Sequence, residues 1–318
     1  MPLVQYAVRR LLVAFPMVVA VAALTFLAAR LAPGDPVLLF AGEGGTPEHY
    51  ALVRQRLGLD RPLPEQLARY LLLLGRGDFG RSIHQGHAVL ALIVERLPAT
   101  LLLAGTAFVT SSVAGIALGV WAASRAHGWI DRTLLAVTAV GASLPVFWTG
   151  LLLVITFSLW LGWFPAQGMT SARTPSTRWI DVLHHLVLPV LALGVQPLAS
   201  VSRVMRVKVL ESLAEPYVRT ARAKGLAAGR VMWHAARTAL LPVITVLGGS
   251  ASVLITGAVL TETVFAWPGL GRLALDATLT RDYPVIMGTV IVASVGTVLL
   301  NLATDVAYAL VDPRITYA

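Results

Sequence analysis

No charged side chain occurs from residue 97 to residue 124, and the length of that run sets the class of fold open to the chain. As a helix rising ~1.5 Å per residue, it is longer than the ~30 Å hydrocarbon core of a bilayer. Hydrocarbon offers no partner to a free backbone amide, so such a run crosses as a helix whose hydrogen bonds are internal. Further uncharged runs occupy 11–29, 133–161, 186–202, 238–261 and 283–304. The expectation is an all-α polytopic membrane protein with six transmembrane helices. A composition of 57% hydrophobic and 13% charged residues places the chain in the same class.

Details within the runs add expectations. Gly115 and Gly119 leave a flat stripe for a close helix approach, as bundle packing or as a dimer seam. Pro145 predicts a kink in the third run, beside Ser143 and Trp148, that shapes a substrate passage or simply bends the helix. Arg9 and Arg10 precede the first run, which is longer than a signal peptide's apolar region and lacks a cleavage site, so an uncleaved anchor is expected. None of the six runs has an Asp, Glu, Lys or Arg near its middle, which argues against an ion-coupled secondary transporter.

The chain divides into 1–32 with the first helix, 33–97 as an extracytoplasmic helical subdomain, and 98–318 as a five-helix core. In the subdomain, Thr46-Pro47 opens a helix that Gly58 closes, and Pro64 opens one that Gly75 closes. Gly75-Arg-Gly-Asp-Phe-Gly80-Arg-Ser82 has phosphate-loop spacing, but Arg81 replaces the lysine that reaches the phosphates, so a turn-rich link is expected. Residues 162–185 read as a polar loop. His84 with His87, and His184 with His185, lack further ligands at metal spacing and read as solvated loop histidines. Without cysteine there is no thiolate chemistry, and no Gly-x-Ser-x-Gly occurs. The net charge of +9 is dispersed among the spans, which excludes a nucleic-acid-binding face.

The basic segment at 211–242 is the one stretch hydrocarbon will not hold. Seven positive charges fall between Val204 and Leu240, against Glu211 and Glu215. Pro216 suits a first helical position, Gly225 the residue just past a helix end, and Pro242 is expected to halt the helix that resumes after Gly225. Arg230, Trp233, His234 and Arg237 share one face of that second helix, as a membrane-interface stripe or part of a docking surface.

Arg219-Thr-Ala-Arg-Ala-Lys-Gly225, followed by Ala239-Leu-Leu-Pro242, resembles the cytoplasmic coupling loop of ABC-importer permeases, most closely the dipeptide, oligopeptide and nickel branch. Gly-Asp-Phe-Gly-Arg-Ser82, Glu262-Thr-Val-Phe-Ala-Trp-Pro-Gly-Leu-Gly271, Asn301-Leu-Ala-Thr-Asp305 and Asp312-Pro-Arg314 extend the resemblance over almost the whole chain. Arg219 departs from it, standing where the general loop has glutamate. The resemblance implies a permease subunit forming half of a peptide pathway, with nickel, glutathione or another small solute as alternative substrates. It implies a second permease subunit in a heterodimer, two cytoplasmic ATPase subunits that bind ATP and Mg, and an extracytoplasmic binding protein. The docking loop would comprise Tyr217, Arg219, Thr220, Ala221, Arg222, Ala223, Lys224 and Gly225. The chain has no complete phosphate loop, so no cofactor and no enzymatic activity are expected of it.

Glu262, at a helix end, is expected to pair with Arg272 or Arg281 at an outer gate, or to face water. Asp305 is expected to pair with Arg203 or Arg206, or to cap locally. Orientation follows from arginine and lysine. Thirteen fall at Arg9, Arg10, Arg125, Arg132, eight positions from Arg203 to Arg237, and Arg314; the two short opposite loops carry Arg173, Arg178, Arg272 and Arg281. Both termini are therefore expected in the cytoplasm of a bacterial-type cell, the protein sitting in its inner membrane.

Overall fold

A computed structural model describes residues 3–31, 37, 46–56, 58–171 and 178–311. Arg173, Arg314 and the Asp312-Pro-Arg314 ending lie outside the described residues. Among the described residues the regular elements are helices, with one isolated bridge between Arg81 and Ala88. In order they are α1 (Leu3–Leu31), α2 (Pro47–Arg56), α3 (Leu63–Gly75), α4 (Val89–Ser124), α5 (Trp129–Ser143) and α6 (Val146–Leu153), which runs on as a π-helix over Val154–Trp160. Then come α7 (Arg178–Ala214), α8 (Pro216–Ala223), α9 (Ala228–Val264), α10 (Leu270–Thr280) and α11 (Tyr283–Val311). Five helices are long and apolar enough to cross a membrane, and α5 with the segment from Val146 to Trp160 makes a sixth if the bent pair is one span.

Three expectations change. At Pro145 the third span is broken, not merely kinked: the two halves meet at 107°. Leu144 is extended (φ −82°, ψ 133°), as a residue before proline is driven to be, and Pro145 is extended as well. Pro242 does not halt a helix, since α9 passes through it from Ala228 to Val264. Proline removes one amide and one intrahelical bond, which a membrane helix tolerates when its neighbours re-satisfy the backbone. The fourth helix also begins well before its apolar run, so residues 178–185 belong to α7 and not to a loop, and His185 is buried.

The chain divides into two compact units. The first comprises Met1–Ala7, Ala99–Arg272 and Leu299–Ala318. Its central element is α7: 61% of that helix's most apolar stretch is buried, against 11–33% in the other continuous spans. Glycines let neighbours reach it. A Cβ on Gly115 would stand 2.9 Å from Val201 Cβ, and one on Gly119 would stand 2.7 Å from Met205 Cβ and from the Ser202 carbonyl. The small-residue stripe thus serves packing within the chain. Gly141 on α5 meets Val195 in the same way, at 2.7 Å. Apolar clusters fill the unit, among them one around Leu103, Leu186, Leu254 and Trp267, one around Val201, Met205, Val209, Ala235 and Val243, and one around Leu188, Ala192 and Phe265.

The second unit comprises Val8–Pro98 and Leu273–Val298. Here α2 and α3 have ends close to those read from the sequence, with Gly58 standing just past the first at φ +64°. Tyr70 on α3 stacks on Phe26 of α1 with centroids 5.3 Å apart, and burial pushes its phenol up to about 12. The turn-rich link from Gly75 is held by Asp282, whose carboxylate accepts the Ser82 hydroxyl at 2.5 Å and the Ile83 amide at 3.2 Å. Arg281 stands in the turn between α10 and α11 at φ +58°.

Two glycines of α4 provide a test of the close packing. Gly119→Ala is expected to lower stability by about 1–3 kcal/mol, because backbone as well as side-chain atoms occupy the Cβ position. Gly105→Ala meets nothing within 4 Å and should be neutral or slightly stabilising. Detergent unfolding of the two variants measures the difference; equal effects would contradict the packing account.

Candidate functional site

The basic loop is organised around α8. Glu215 is extended, Pro216 takes the first helical position, and one side chain, Val218, is buried to anchor the helix. Arg219, Thr220, Arg222, Ala223 and Lys224 are exposed, and Ala221 is half-buried. The Tyr217 hydroxyl bonds Ser212 of α7 and donates to Thr238 of α9 at 3.5 Å, so one phenol ties α8 to both flanking helices. At the helix end Gly225 donates to the Arg222 carbonyl at 2.9 Å and Leu226 to that of Ala221 at 3.2 Å. The reversal needs φ +77° at Gly225, the left-handed conformation that favours glycine.

The chain then enters α9. Arg230, Trp233, His234 and Arg237 are all exposed on one face, while Val231, Ala235, Ala236 and Ala239 are buried on the other. That division is the 3.6-residue period acting on a helix with one packed side.

Two contacts that no local pattern announces brace α7, the helix that leads into α8. Asp131 in the first turn of α5 is buried, and both its oxygens receive the Arg206 guanidinium, through Nε and through Nη2 at 2.6 Å. The amide of His127, a residue at φ +63°, also donates to Asp131, at 2.9 Å. At the other end of α5, the Leu144 carbonyl freed by the break accepts Gln196 Nε2 at 3.2 Å. So α7 grips α5 at its start and at its break. Arg206, expected beside Asp305, is committed to Asp131, and Arg203 Nε donates to the Ala199 carbonyl at 3.1 Å. In the sequence Asp131 is one charge of a short basic turn, and nothing local marks it as buried.

Glu262 ends α9 fully buried. Thr100 donates its hydroxyl to Oε1 at 2.6 Å, and the backbone amide of Arg272 donates to Oε2 at 3.0 Å. Thr100 Oγ1 in turn accepts the Leu270 amide at 2.7 Å, so carboxylate and hydroxyl together satisfy the first turn of α10. The bond from Arg272 is thus made by its main chain; its guanidinium donates to the Ala266 carbonyl at 2.9 Å, holding that residue at φ +48°. The Trp267 indole donates to the Ala99 carbonyl at 2.9 Å. The glycine spacing follows from this fold: a Cβ on Gly269 would stand 2.2 Å from the Glu262 carboxyl carbon, and one on Gly271 would stand 2.5 Å from Val259 Cα.

Of the histidines, His84 and His87 are exposed, with His84 Nε2 2.6 Å from the Thr280 carbonyl. His185 departs from the solvated reading: its Nδ1 lies 2.8 Å from the Asp181 carbonyl and 3.3 Å from that residue's carboxylate. Among the described residues no group of three or more His, Asp or Glu is placed to hold a metal ion.

An all-α array of helices long and apolar enough to cross a membrane, carrying a short exposed basic helix, is the architecture of a multi-pass membrane protein. The family model for binding-protein-dependent transport system inner membrane components matches residues 115–317, and that family's N-terminal model matches residues 3–104. A probable peptide ABC transporter permease of Sinorhizobium fredii is 41% identical over 313 residues, covering 98% of this chain and 99% of the relative. The di/tripeptide transport system permease DppB of Pseudomonas aeruginosa is 38% identical over 334 residues, and the dipeptide transport system permease DppB of Escherichia coli is 38% identical over 337. Each alignment covers 99% of both chains. The chain belongs to the family of binding-protein-dependent transport system inner membrane components. It is a multi-pass inner-membrane permease, and that membership implies a substrate-binding protein and ATPase partners.

The ion pair between α5 and α7 yields a double-substitution test. Asp131→Ala leaves the half-buried Arg206 guanidinium unpaired and should cost about 3–5 kcal/mol in an unfolding assay. Asp131→Leu with Arg206→Met should recover most of it. A double variant as unstable as the single one would mean that Asp131 acts apart from Arg206.

Proposed function

We propose that the chain forms half of the translocation pathway of an ATP-driven peptide importer, completed by a second, different permease subunit. Two cytoplasmic ATPase subunits hold ATP and Mg, and an extracytoplasmic binding protein delivers the peptide. Support for a peptide comes from relatives named as dipeptide, di/tripeptide and peptide permeases along their full length. Support for borrowed energy comes from Arg81, which occupies the position of the phosphate-loop lysine in a turn pinned to Asp282.

The observation that carries the mechanism is the exposed helix α8, joined without a flexible linker to the 37-residue α7. The docking surface is Tyr217, Arg219, Thr220, Ala221, Arg222, Ala223, Lys224 and Gly225. Closure of the ATPases displaces α8, and the displacement passes along α7 as a rigid body. Arg206 and Gln196 carry α5 with it, so the motion arrives at the break beside Pro145. Switching between inward and outward openings then needs no bending within α7. At the far end of α9, Glu262 and Arg272 hold a closed hydrogen-bonded turn, which supports an outer gate braced by backbone amides.

In this reading both termini lie in the cytoplasm, with 33–97 and 162–184 outside, as the distribution of arginine and lysine supports. A single cysteine at the exposed Gln85, in a chain without native cysteine, should be labelled by an impermeant reagent only from the outer face. Labelling from the cytoplasmic face would reverse the topology.

Gly225→Val tests the lever. A valine Cβ meets nothing within 4 Å, so its cost is purely the left-handed backbone, roughly 1 kcal/mol or more for a β-branched residue. All spans should insert, while copurification of the ATPases falls or ATP hydrolysis is uncoupled from uptake. Arg219→Ala should do less, because one exposed charge contributes little when its partner stays solvated. Full coupling in Gly225→Val with loss in Arg219→Ala would show that a specific charge, and not the shape of the turn, does the coupling.

A further inference from the structure

The exposed face of α9 borders a groove that the proposed coupling mechanism leaves unused. The groove encloses about 520 Å³ and lies wholly in the first unit. Ile116 and Val120 of α4, Met205 of α7, and Met232, Ala236 and Leu240 of α9 line it. Its rim is different in kind. Trp233 stands there 67% exposed, and Arg237 closes one side. Arg230, about two helical turns earlier on the same face, is exposed as well. Among the described residues neither guanidinium has a hydrogen-bond or ion-pair partner.

The groove runs along the first turns of α9, from Gly229 to Leu240, reaching the point where the uncharged run of that helix begins at Thr238, and lies beside the last turns of α4, which ends at Ser124. Its position is thus the edge of the bilayer, on the side of the basic loop. An indole at that depth favours the headgroup layer, and arginine stems lie along apolar surface while the charge reaches outward. Free arginine charge above an apolar trough is complementary to one abundant molecule of that layer: a phospholipid with an anionic headgroup. A soluble protein partner would meet the arginines but leave the trough uncovered, and a neutral lipid would fill the trough but leave the arginines unpaired.

We propose that this face is a binding site for an anionic phospholipid, with one acyl chain in the groove and the phosphate held by Arg230 and Arg237 beside the Trp233 indole. The proposal rests on the cytoplasmic placement of the basic loop. Bound lipid would pack against α9 immediately after the docking helix, so the site adds an input from the membrane to the segment the ATPases move.

Native mass spectrometry of the full chain tests it, with phosphatidylglycerol and phosphatidylcholine of identical acyl chains as probes. The wild type should retain phosphatidylglycerol in preference to phosphatidylcholine through detergent dilution. Arg230→Gln and Arg237→Gln should weaken that preference by about fivefold each, the factor equivalent to the attraction of one arginine to an anionic surface. Gly229→Leu adds a side chain at the groove where a Cβ meets nothing within 4 Å, and should reduce retention of both lipids without disturbing the fold. Equal retention of the two lipids by the wild type overturns the proposal, as does a preference that survives both arginine substitutions or a retention that Gly229→Leu leaves undiminished. Loss of the lipid when ATPase subunits attach, with Arg230 and Arg237 becoming protected, would identify the face as protein-docking surface and overturn it equally. None of these readouts needs ATP turnover, so a failure here leaves the coupling mechanism standing, and uncoupled transport variants leave the lipid site standing.

Discussion

The close approach of α4 to α7 at Gly115 and Gly119 is the contact on which the first unit depends. Lipid tails are as apolar as the helices, so burial alone does not drive a membrane bundle together, and dense packing at small residues must. With backbone atoms of Ser202 and Arg206 occupying the space of a missing Cβ, α4 and α7 can slide or separate only by losing that packing. Everything that touches α7 then inherits a fixed reference: α5 through Arg206 and Gln196, α8 by direct succession, and α9 through the cluster around Val201, Met205 and Ala235.

Buried polar groups decide where the chain turns. In a medium without water each must find its partner in the protein, and leaving one unmade costs about 1–3 kcal/mol. Glu262 meets this demand by satisfying a neighbouring helix start, which explains why the Trp-Pro-Gly-Leu-Gly segment after it carries glycine at 269 and 271. Asp282 meets it by collecting the Ser82 hydroxyl and the amide beyond it. Asp131 meets it with Arg206, on the next long span. These three carboxylates sit at element ends, so they shape loops without placing a charge at the centre of a span.

The departures from expectation have a common cause. Local rules make proline a stop at 242 and a bend at 145, yet α9 continues through the former while the third span breaks at the latter. A proline inside a helix forfeits one hydrogen bond wherever it stands, and the outcome depends on whether neighbours hold the two halves in line. At Pro145 the preceding residue turns extended, and Gln196 accommodates the open geometry by bonding the carbonyl released there. That glutamine stands on another span, out of sight of the proline's own flanks.

The sequence by itself determined the membrane-crossing runs, the helical class, the start of α8 at Pro216 and the positive φ at Gly225, because each rests on local physics: hydrocarbon thickness, a missing amide, a missing Cβ. The polar face of Arg230, Trp233, His234 and Arg237 was legible for the same reason, being a matter of helical period. Only the tertiary structure decided that Arg206 belongs to Asp131, that Glu262 is buried against Thr100, and that His185 lies inside. The first two depend on partners far away in sequence and the third on how α7 packs, and the charge or polarity of a residue does not reveal which distant group will come within hydrogen-bonding reach of it. The glycines of α4 stand between the two cases: their spacing announced a close approach, and the fold alone named α7 as the helix that makes it.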